Sequence, residues 1–305
     1  MSNTIAFGHK NPDTDSIVSS IVIADLKSKL NEKVEPCRLG KLNKETKYVL
    51  KYFEVEEPKL IEKVGKDDNV ILVDHNEFAQ SAEGIEEANI EMVIDHHNMN
   101  FKTSKPLFYM AEPVGCTSTI LYKLYKQHGI KISKKIAGLM LSAIVSDTLL
   151  LKSPTTTEQD KKAVDELKEI AGVNLYGYGI DMLKAGTDLS DYKPEELVDI
   201  DSKLYEVNNN KFAVAQVNTV DVDSVMQHKD RIKAKMESEL KSKGLNLYEI
   251  CVTDILNNNS KVIAVGDRTD VIEKAYNVKL EDDSAFLEGV VSRKKQVVPM
   301  ISKYL

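Results

Sequence analysis

Val70-Ile71-Leu72-Val73-Asp74-His75-Asn76 passes from four branched apolar residues directly into an acid, an imidazole and an amide. A short all-apolar run of this kind reads as a strand buried on both faces, the usual condition of a parallel strand. The same transition recurs at Met92-Val93-Ile94-Asp95-His96-His97. It occurs again where Ile5-Ala6-Phe7 leads into Gly8-His9-Lys10-Asn11-Pro12-Asp13-Thr14-Asp15. Working outward, Thr4–Phe7 reads as the first strand and Ser16–Leu30 as an amphipathic helix, while Thr117–Gln127 and Ser133–Ser146 are helical in pattern. This rhythm predicts an α/β domain with a mainly parallel sheet and helices on both faces. Ligands of such sheets bind outside the carboxyl ends of the strands. Three loops distant in sequence therefore converge on one crevice.

Beyond Lys184 the chain turns polar through Val198, with Gly186 and Pro194 as punctuation, and a domain boundary is expected there. We read residues 1–188 as one α/β domain carrying the three acidic and histidine-rich loops and residues 189–305 as a second, smaller α/β domain, with the ligand site expected in the cleft between them. In the second domain, strands are expected at Lys211–Val217, Tyr248–Thr253 and Val262–Val265. Helices are expected at Asp223–Lys241 and Asp270–Tyr276, ahead of a terminal segment, Gly289–Ile301.

Composition narrows the class. The chain has 305 residues, with 41 basic against 48 acidic side chains and a net charge of −7. That balance argues against a general nucleic-acid binder, whose affinity comes from neutralising phosphates. The three cysteines, Cys37, Cys116 and Cys251, are far apart and form no C-x-x-C pair, so neither a zinc knuckle nor a disulfide framework is expected. The start, MSNTIAFGHK, has no secretion signal, and the longest apolar stretch, Ile136 to Leu151, is short for a membrane span and carries Asp147. A cytoplasmic protein without membrane attachment is the expectation.

The clustered acids need neutralising. An Asp after a strand is often a helix N-cap, and Asp15 alone reads that way as easily as any other. Several carboxylates in one crevice, however, raise one another's pKa unless cations intervene. Asp147 lies inside IAGLMLSAIVSDTLLL, where a buried carboxylate requires a partner. A helix N-terminus or a Lys could serve, but a metal crevice serves better. The donors are carboxylates and imidazoles without sulfur, a set suited to Mn²⁺ or Co²⁺, with Mg²⁺ also possible. They are too many for one ion that must also hold water and suit a pair sharing bridging carboxylates, which is a hydrolase arrangement.

HKNPDTDS (9–16), VDHNE (73–77), VIDHH (93–97), AEPVGCTST (111–119), LMLSAIVSDTLL (139–150) and VVSRKKQVVP (290–299) together resemble the family II inorganic pyrophosphatases of the DHH phosphoesterase superfamily. The resemblance runs essentially end to end. It implies that His9, Asp13, Asp74 and Asp147 hold one manganese ion and that Asp15, Asp74, His96 and Asp147 hold the other. It also implies that His97, Lys203, Arg293 and Lys294 bind pyrophosphate, which brings additional Mg²⁺, and that a homodimer forms through the first domain. His75 and Asp95 would orient ligands. A bridging water would then attack one phosphorus. The alternative is a DHH phosphodiesterase acting on short oligonucleotides or cyclic dinucleotides. Those relatives carry a glycine-rich motif in the second domain, and no two glycines are adjacent here.

Without the resemblance, Ser292–Gln296 is a basic run between apolar flanks. In a regular strand Arg293 and Lys294 would point to opposite faces. A tight loop is therefore expected at this point.

Overall fold

A computed structural model describes residues 4–305. The chain divides into two compact units between Gly186 and Thr187. The first contains, in order, β1 (Thr4–Phe7), α1 (Thr14–Lys29), β2 (Val34–Arg38), α2 (Lys44–Tyr52), β3 (Lys59–Leu60), β4 (Asn69–Val73), β5 (Asn89–Asp95), β6 (Phe108–Ala111), α3 (Thr117–Gln127), α4 (Lys134–Asp147), α5 (Glu158–Ala171) and α6 (Leu175–Gly186).

The six strands form one sheet in the order β3-β2-β1-β4-β5-β6. Every pairing in it is parallel. The order reverses between β1 and β4, and the carboxyl ends of strands at such a reversal flank a natural ligand crevice.

One face of the sheet is covered by helices. Ile17, Val18, Val22, Ile23 and Leu26 of α1 are each at most 2% exposed. They form the i, i+4 stripe expected of a packed helix, and α1 lies against β1, β2, α3 and α4. Burial contributes roughly 1.5–3 kcal/mol per side chain of this size. Truncating Ile23 to Ala would leave a cavity costing about 2–5 kcal/mol.

The expectation of helices on both faces holds on this face only. The other face presents Phe7, Val70, Leu72 and Val93, and these pack against Val64, Phe78, Ala82, Ile85 and Phe101 from the connecting segments. The β4–β5 and β5–β6 connections fold without an α-helix, and the first contains only a 3₁₀ turn at Phe78–Gln80.

The second unit contains α7 (Leu197–Ile200), β7 (Ser202–Val207), β8 (Asn210–Thr219), α8 (Val222–Met226), α9 (Lys229–Lys243), β9 (Leu247–Asp254), β10 (Asn259–Gly266), α10 (Asp270–Tyr276), β11 (Ser284–Leu287) and α11 (Val298–Tyr304). Its sheet, β11-β10-β9-β8-β7, is mixed. Only β8 and β9 run parallel.

The period-2 alternation of β8 and β9 divides two cores. Ala213, Ala215, Ile250 and Val252 face Ile232 and Met236 of α9. Phe212, Val214, Leu247 and Cys251 face Val271, Ile272 and Ile301 of α10 and α11.

Two sequence expectations change. The single helix expected at Asp223–Lys241 is two, because His228 leaves the helical region (φ −101°, ψ 14°) and starts α9. The tight loop expected at Arg293 and Lys294 is one π-helical turn, Arg293–Val297, running into α11. No helix among the described residues is long and apolar enough to cross a membrane.

Candidate metal centre

His9, Asp13 and Asp15 follow β1, Asp74 follows β4 and His96 follows β5, so the reversal in strand order gathers them. Asp147 is the last residue of α4, a helix buried from Ile136 to Val145. The donor atoms fall into three overlapping groups: His9 with Asp13 and Asp74, Asp15 with His96 and Asp147, and Asp74 with His96 and His97. His9 Nε2 lies 3.5 Å from Asp13 Oδ2 and 3.4 Å from Asp74 Oδ2. His96 Nε2 lies 3.4 Å from Asp74 Oδ1 and 3.9 Å from Asp147 Oδ2. Asp74 thus turns one carboxylate oxygen toward His9 and the other toward His96. Neighbouring donors around an octahedral ion with bonds of about 2.1 Å sit about 3 Å apart. Gaps slightly wider than that, between hard oxygens and imidazole nitrogens, fit ions such as manganese.

The backbone is bent to present these groups. Asp74 has φ 58°, a left-handed conformation that Asp tolerates better than most residues. Its N–H donates to Ile94 O at 3.0 Å, which keeps the turn against β5. After Asp147, Leu149, Leu150 and Leu151 take φ of 47°, 55° and 64° in succession. Each costs about 1–2 kcal/mol for an L-residue. Thr148 Oγ1 holds this left-handed turn by accepting from Leu151 N at 3.2 Å.

Electrostatics explains what the residues need. Burial pushes the Asp15 carboxyl up to about 6, and the charges of Asp74 and Asp13 add to it. Burial raises Asp147 well above the ordinary range, with Asp15, Asp74 and Asp13 acting in the same direction. Asp74 goes the other way. Burial opposes its charge, but the bonds from His9 and His96 outweigh that and hold its pKa down. Burial also opposes charge on His9, yet Asp13 and Asp74 raise it to about 11. Against the same burial, Asp74 and Asp15 raise His96 to about 9. With no ion present, protons take up the negative charge, and divalent cations are the natural replacement.

Around the donors stands a set of hydrogen bonds. Asp15 is fully buried and accepts from the first amides of α3, Thr117 N at 2.7 Å and Ser118 N at 3.2 Å. It also accepts from Ser118 Oγ at 2.7 Å and Ser19 Oγ at 2.9 Å. Thr117 Oγ1 donates to Asp74 Oδ1 at 3.1 Å, and His96 Nδ1 lies 3.0 Å from Val114 O. The capping role weighed for Asp15 belongs instead to Asp13, whose Oδ1 accepts from Ser16 N at 2.9 Å at the start of α1. Glu45 accepts from Thr14 Oγ1 at 2.6 Å and Ser146 Oγ at 2.5 Å, tying neighbours of three donors together.

Asp95 stands apart from the donor groups. Its Oδ1 accepts from His97 N at 3.1 Å and lies 2.9 Å from His97 Nδ1, while Asn76 Nδ2 donates to Oδ2 at 2.6 Å. It fixes the half-exposed His97 ring. His75 is buried, with Nδ1 2.9 Å from Val73 O. It helps line a cavity of about 210 Å³ together with His9, Asp74 and His97.

In the second unit, Lys203 is exposed on β7 and Lys294 is exposed on the π-helical turn. Arg293 is committed locally. It donates from Nη1 to Asp201 O at 2.5 Å and pairs through Nη2 with Asp201 Oδ1 at 2.9 Å. Gln296 Oε1 accepts from Val291 N and Ser292 N, so it shapes the turn that presents the basic residues.

The sequence alone did not single out Thr117, Ser118, Glu45, Asp201 or Gln296. Ser and Thr at a helix start look like ordinary caps, and Glu45 meets its partners only in the fold.

The DHH family N-terminal domain matches residues 3–144 and the DHHA2 domain residues 180–304. The probable manganese-dependent inorganic pyrophosphatase of Brevibacillus brevis is 57% identical over 304 residues, covering 99% of this chain and 98% of that protein. The chain belongs to the manganese-dependent inorganic pyrophosphatases. A Bacillus cereus member of this family is 52% identical, with 99% of each chain covered. A Methanococcus jannaschii crystal structure assigned to the family II inorganic pyrophosphatases is 43% identical, with 99% of each chain covered and a TM-score of 0.64. A Bacteroides fragilis exopolyphosphatase-related protein, 15% identical with a TM-score of 0.50, shares the fold.

Proposed function

We infer that this chain hydrolyses inorganic pyrophosphate to two phosphates at a pair of manganese ions held by His9, Asp13, Asp15, Asp74, His96 and Asp147. The observation that carries this reading is Asp74, whose two oxygens face His9 and His96 at 3.4 Å each. Family membership supplies the substrate. When bound, paired ions supply Lewis acidity and lower the pKa of water from ~15.7 toward neutrality. The protein fixes the donors, and Asp95 holds the His97 ring in one orientation.

His97, Lys203, Arg293 and Lys294 are assigned to the phosphate oxygens. Arg offers a planar fork and Lys a point charge. Neither lysine is in an ion pair among the described residues, so both charges are uncommitted. Residues 1–188 act as the metal-binding catalytic domain and 189–305 as the substrate-binding domain.

A homodimer through the first unit is part of this reading. Among the described residues β6 pairs only with β5, leaving its outer edge open, and it carries the exposed Phe108. The three free, buried cysteines agree with a cytoplasmic location.

The test is phosphate release by chelator-stripped protein supplied with Mn²⁺, Co²⁺ or Mg²⁺, with a linear dinucleotide as rival substrate. Release from pyrophosphate restored by Mn²⁺ is expected. Turnover of the dinucleotide alone would transfer the site to the phosphodiesterase reading.

A further inference from the structure

Asp160 is fully buried near the start of α5, 13 positions after the nearest metal donor, Asp147. A buried carboxylate is costly unless its oxygens are bonded, and this one accepts four hydrogen bonds. Two come from its own helix cap, Thr157 N and Thr157 Oγ1, both at 2.7 Å to Oδ2. The first of these, together with Asp160 N donating to Thr157 Oγ1 at 3.4 Å, makes a capping box and would be enough to start the helix. The other two cross to a different element. Gly115 N donates to Oδ2 at 2.9 Å and Thr119 Oγ1 to Oδ1 at 2.6 Å.

Gly115 and Thr119 pin the segment Val114–Thr119, whose residues hold the metal donors. Val114 supplies the carbonyl facing His96, and Thr117 and Ser118 supply the donors to Asp15 and Asp74. A Cβ on Gly115 would lie 2.7 Å from Thr148 Cγ2 and 2.8 Å from Asp160 Oδ2. The segment is therefore wedged between Asp160 and the residue that follows Asp147.

We propose that Asp160 is a positioning residue for the metal centre, acting through Val114–Thr119 on Asp15, His96 and the Asp74 oxygen, Oδ1, that faces His96. This rests on the two-ion reading above and adds an asymmetry to it. His9 and Asp13 take their bonds from Lys10 O and Ser16 N instead, so this segment does not anchor them. Loosening the segment therefore weakens the ion held by Asp15, His96 and Asp147 and largely spares the ion held by His9 and Asp13.

The experiment is a two-step Mn²⁺ titration of the chelator-stripped full chain by calorimetry and electron paramagnetic resonance, alongside the melting temperature of the metal-free form. In Asp160→Asn one binding step should weaken about 10–100-fold, the size typical for groups that orient ligands, while the other stays within error. The magnetic coupling between the ions should be lost at limiting Mn²⁺. Thr119→Val, which removes a single bond, should weaken the same step less and carries the test if Asp160→Asn does not fold. Thr157→Val disturbs only the cap and should lower the melting temperature with both steps unchanged. If Asp160→Asn or Thr119→Val behaved like Thr157→Val, or weakened both steps equally, the proposal would be overturned. Wild-type protein failing to bind two ions would instead overturn the two-ion reading.

Discussion

Asp74 Oδ1 lies 3.4 Å from His96 Nε2 while the Asp74 backbone is held at φ 58°. A left-handed, non-glycine residue at a shared ligand position is strain kept for function. Asn tolerates the same backbone, so Asp74→Asn removes charge without breaking the turn. It should keep the circular dichroism spectrum of the wild type, lose both tight Mn²⁺ binding steps and abolish phosphate release. Retention of one tight step would show that Asp74 serves a single ion.

Lys294 offers a charge with no partner among the described residues. Lys294→Ala should leave both Mn²⁺ binding steps unchanged and lower kcat/KM for pyrophosphate by about 10²–10³-fold, as loss of one charge-stabilising donor does elsewhere. Steady-state kinetics at subsaturating pyrophosphate reads this out. An unchanged kcat/KM would remove Lys294 from the substrate site.

Metal binding should carry a pH signature. In the metal-free protein His9 and His96 titrate near 11 and 9, so both rings hold protons at pH 7. A ligating imidazole must be neutral, so Mn²⁺ uptake releases protons and weakens as pH falls from 9 to 6. The sign for the metal-free fold is opposite. Both pKa values are raised, so the stability they contribute is fully present below pH 6.5 and is lost as pH rises through 9 to 11. Calorimetry in buffers of different ionisation enthalpy checks the proton release, and none at pH 7 would contradict it.

Glu249 gives a separate pH dependence in the second unit. It is fully buried, its Oε2 has no bonding partner, and burial raises its pKa from an ordinary 4.5 to about 7. An acid with a raised folded pKa supports the fold below 4.5, and that support disappears as pH rises to 7. The loss amounts to about 3 kcal/mol at 1.36 kcal/mol per unit. Glu249→Gln should flatten this slope and be the more stable protein at pH 8. Parallel urea midpoints for the two proteins from pH 5 to 8 would contradict the assignment.

The clustering of His9, Asp13, Asp15, Asp74, His96 and Asp147 was legible because its chemistry is local. Each lies within a few residues of a strand end or, for Asp147, ends an apolar helix, so pattern and composition suffice. β2 was not legible, since Val34-Glu35-Pro36-Cys37-Arg38 contains a proline that normally excludes a central strand. The fold permits it because β3 pairs only with Cys37 and Arg38, leaving Pro36 without an outer partner. Asp160 and Glu45 were not legible either. Their value comes from partners between 31 and 101 positions away, a distance that periodicity does not reach. The helix at Glu158–Ala171 carries a recognisable capping box, but nothing in it reveals that the same carboxylate reaches Gly115.

The most direct test of the central claim is the number and coupling of manganese ions in the stripped and reconstituted protein. Electron paramagnetic resonance during Mn²⁺ titration should show two tightly held ions per chain with exchange-coupled spectra, and phosphate release from pyrophosphate should rise with the second. Saturation at one ion, or two ions with no magnetic interaction, would mean that Asp74 does not join two metals and that the shared-carboxylate centre is wrong.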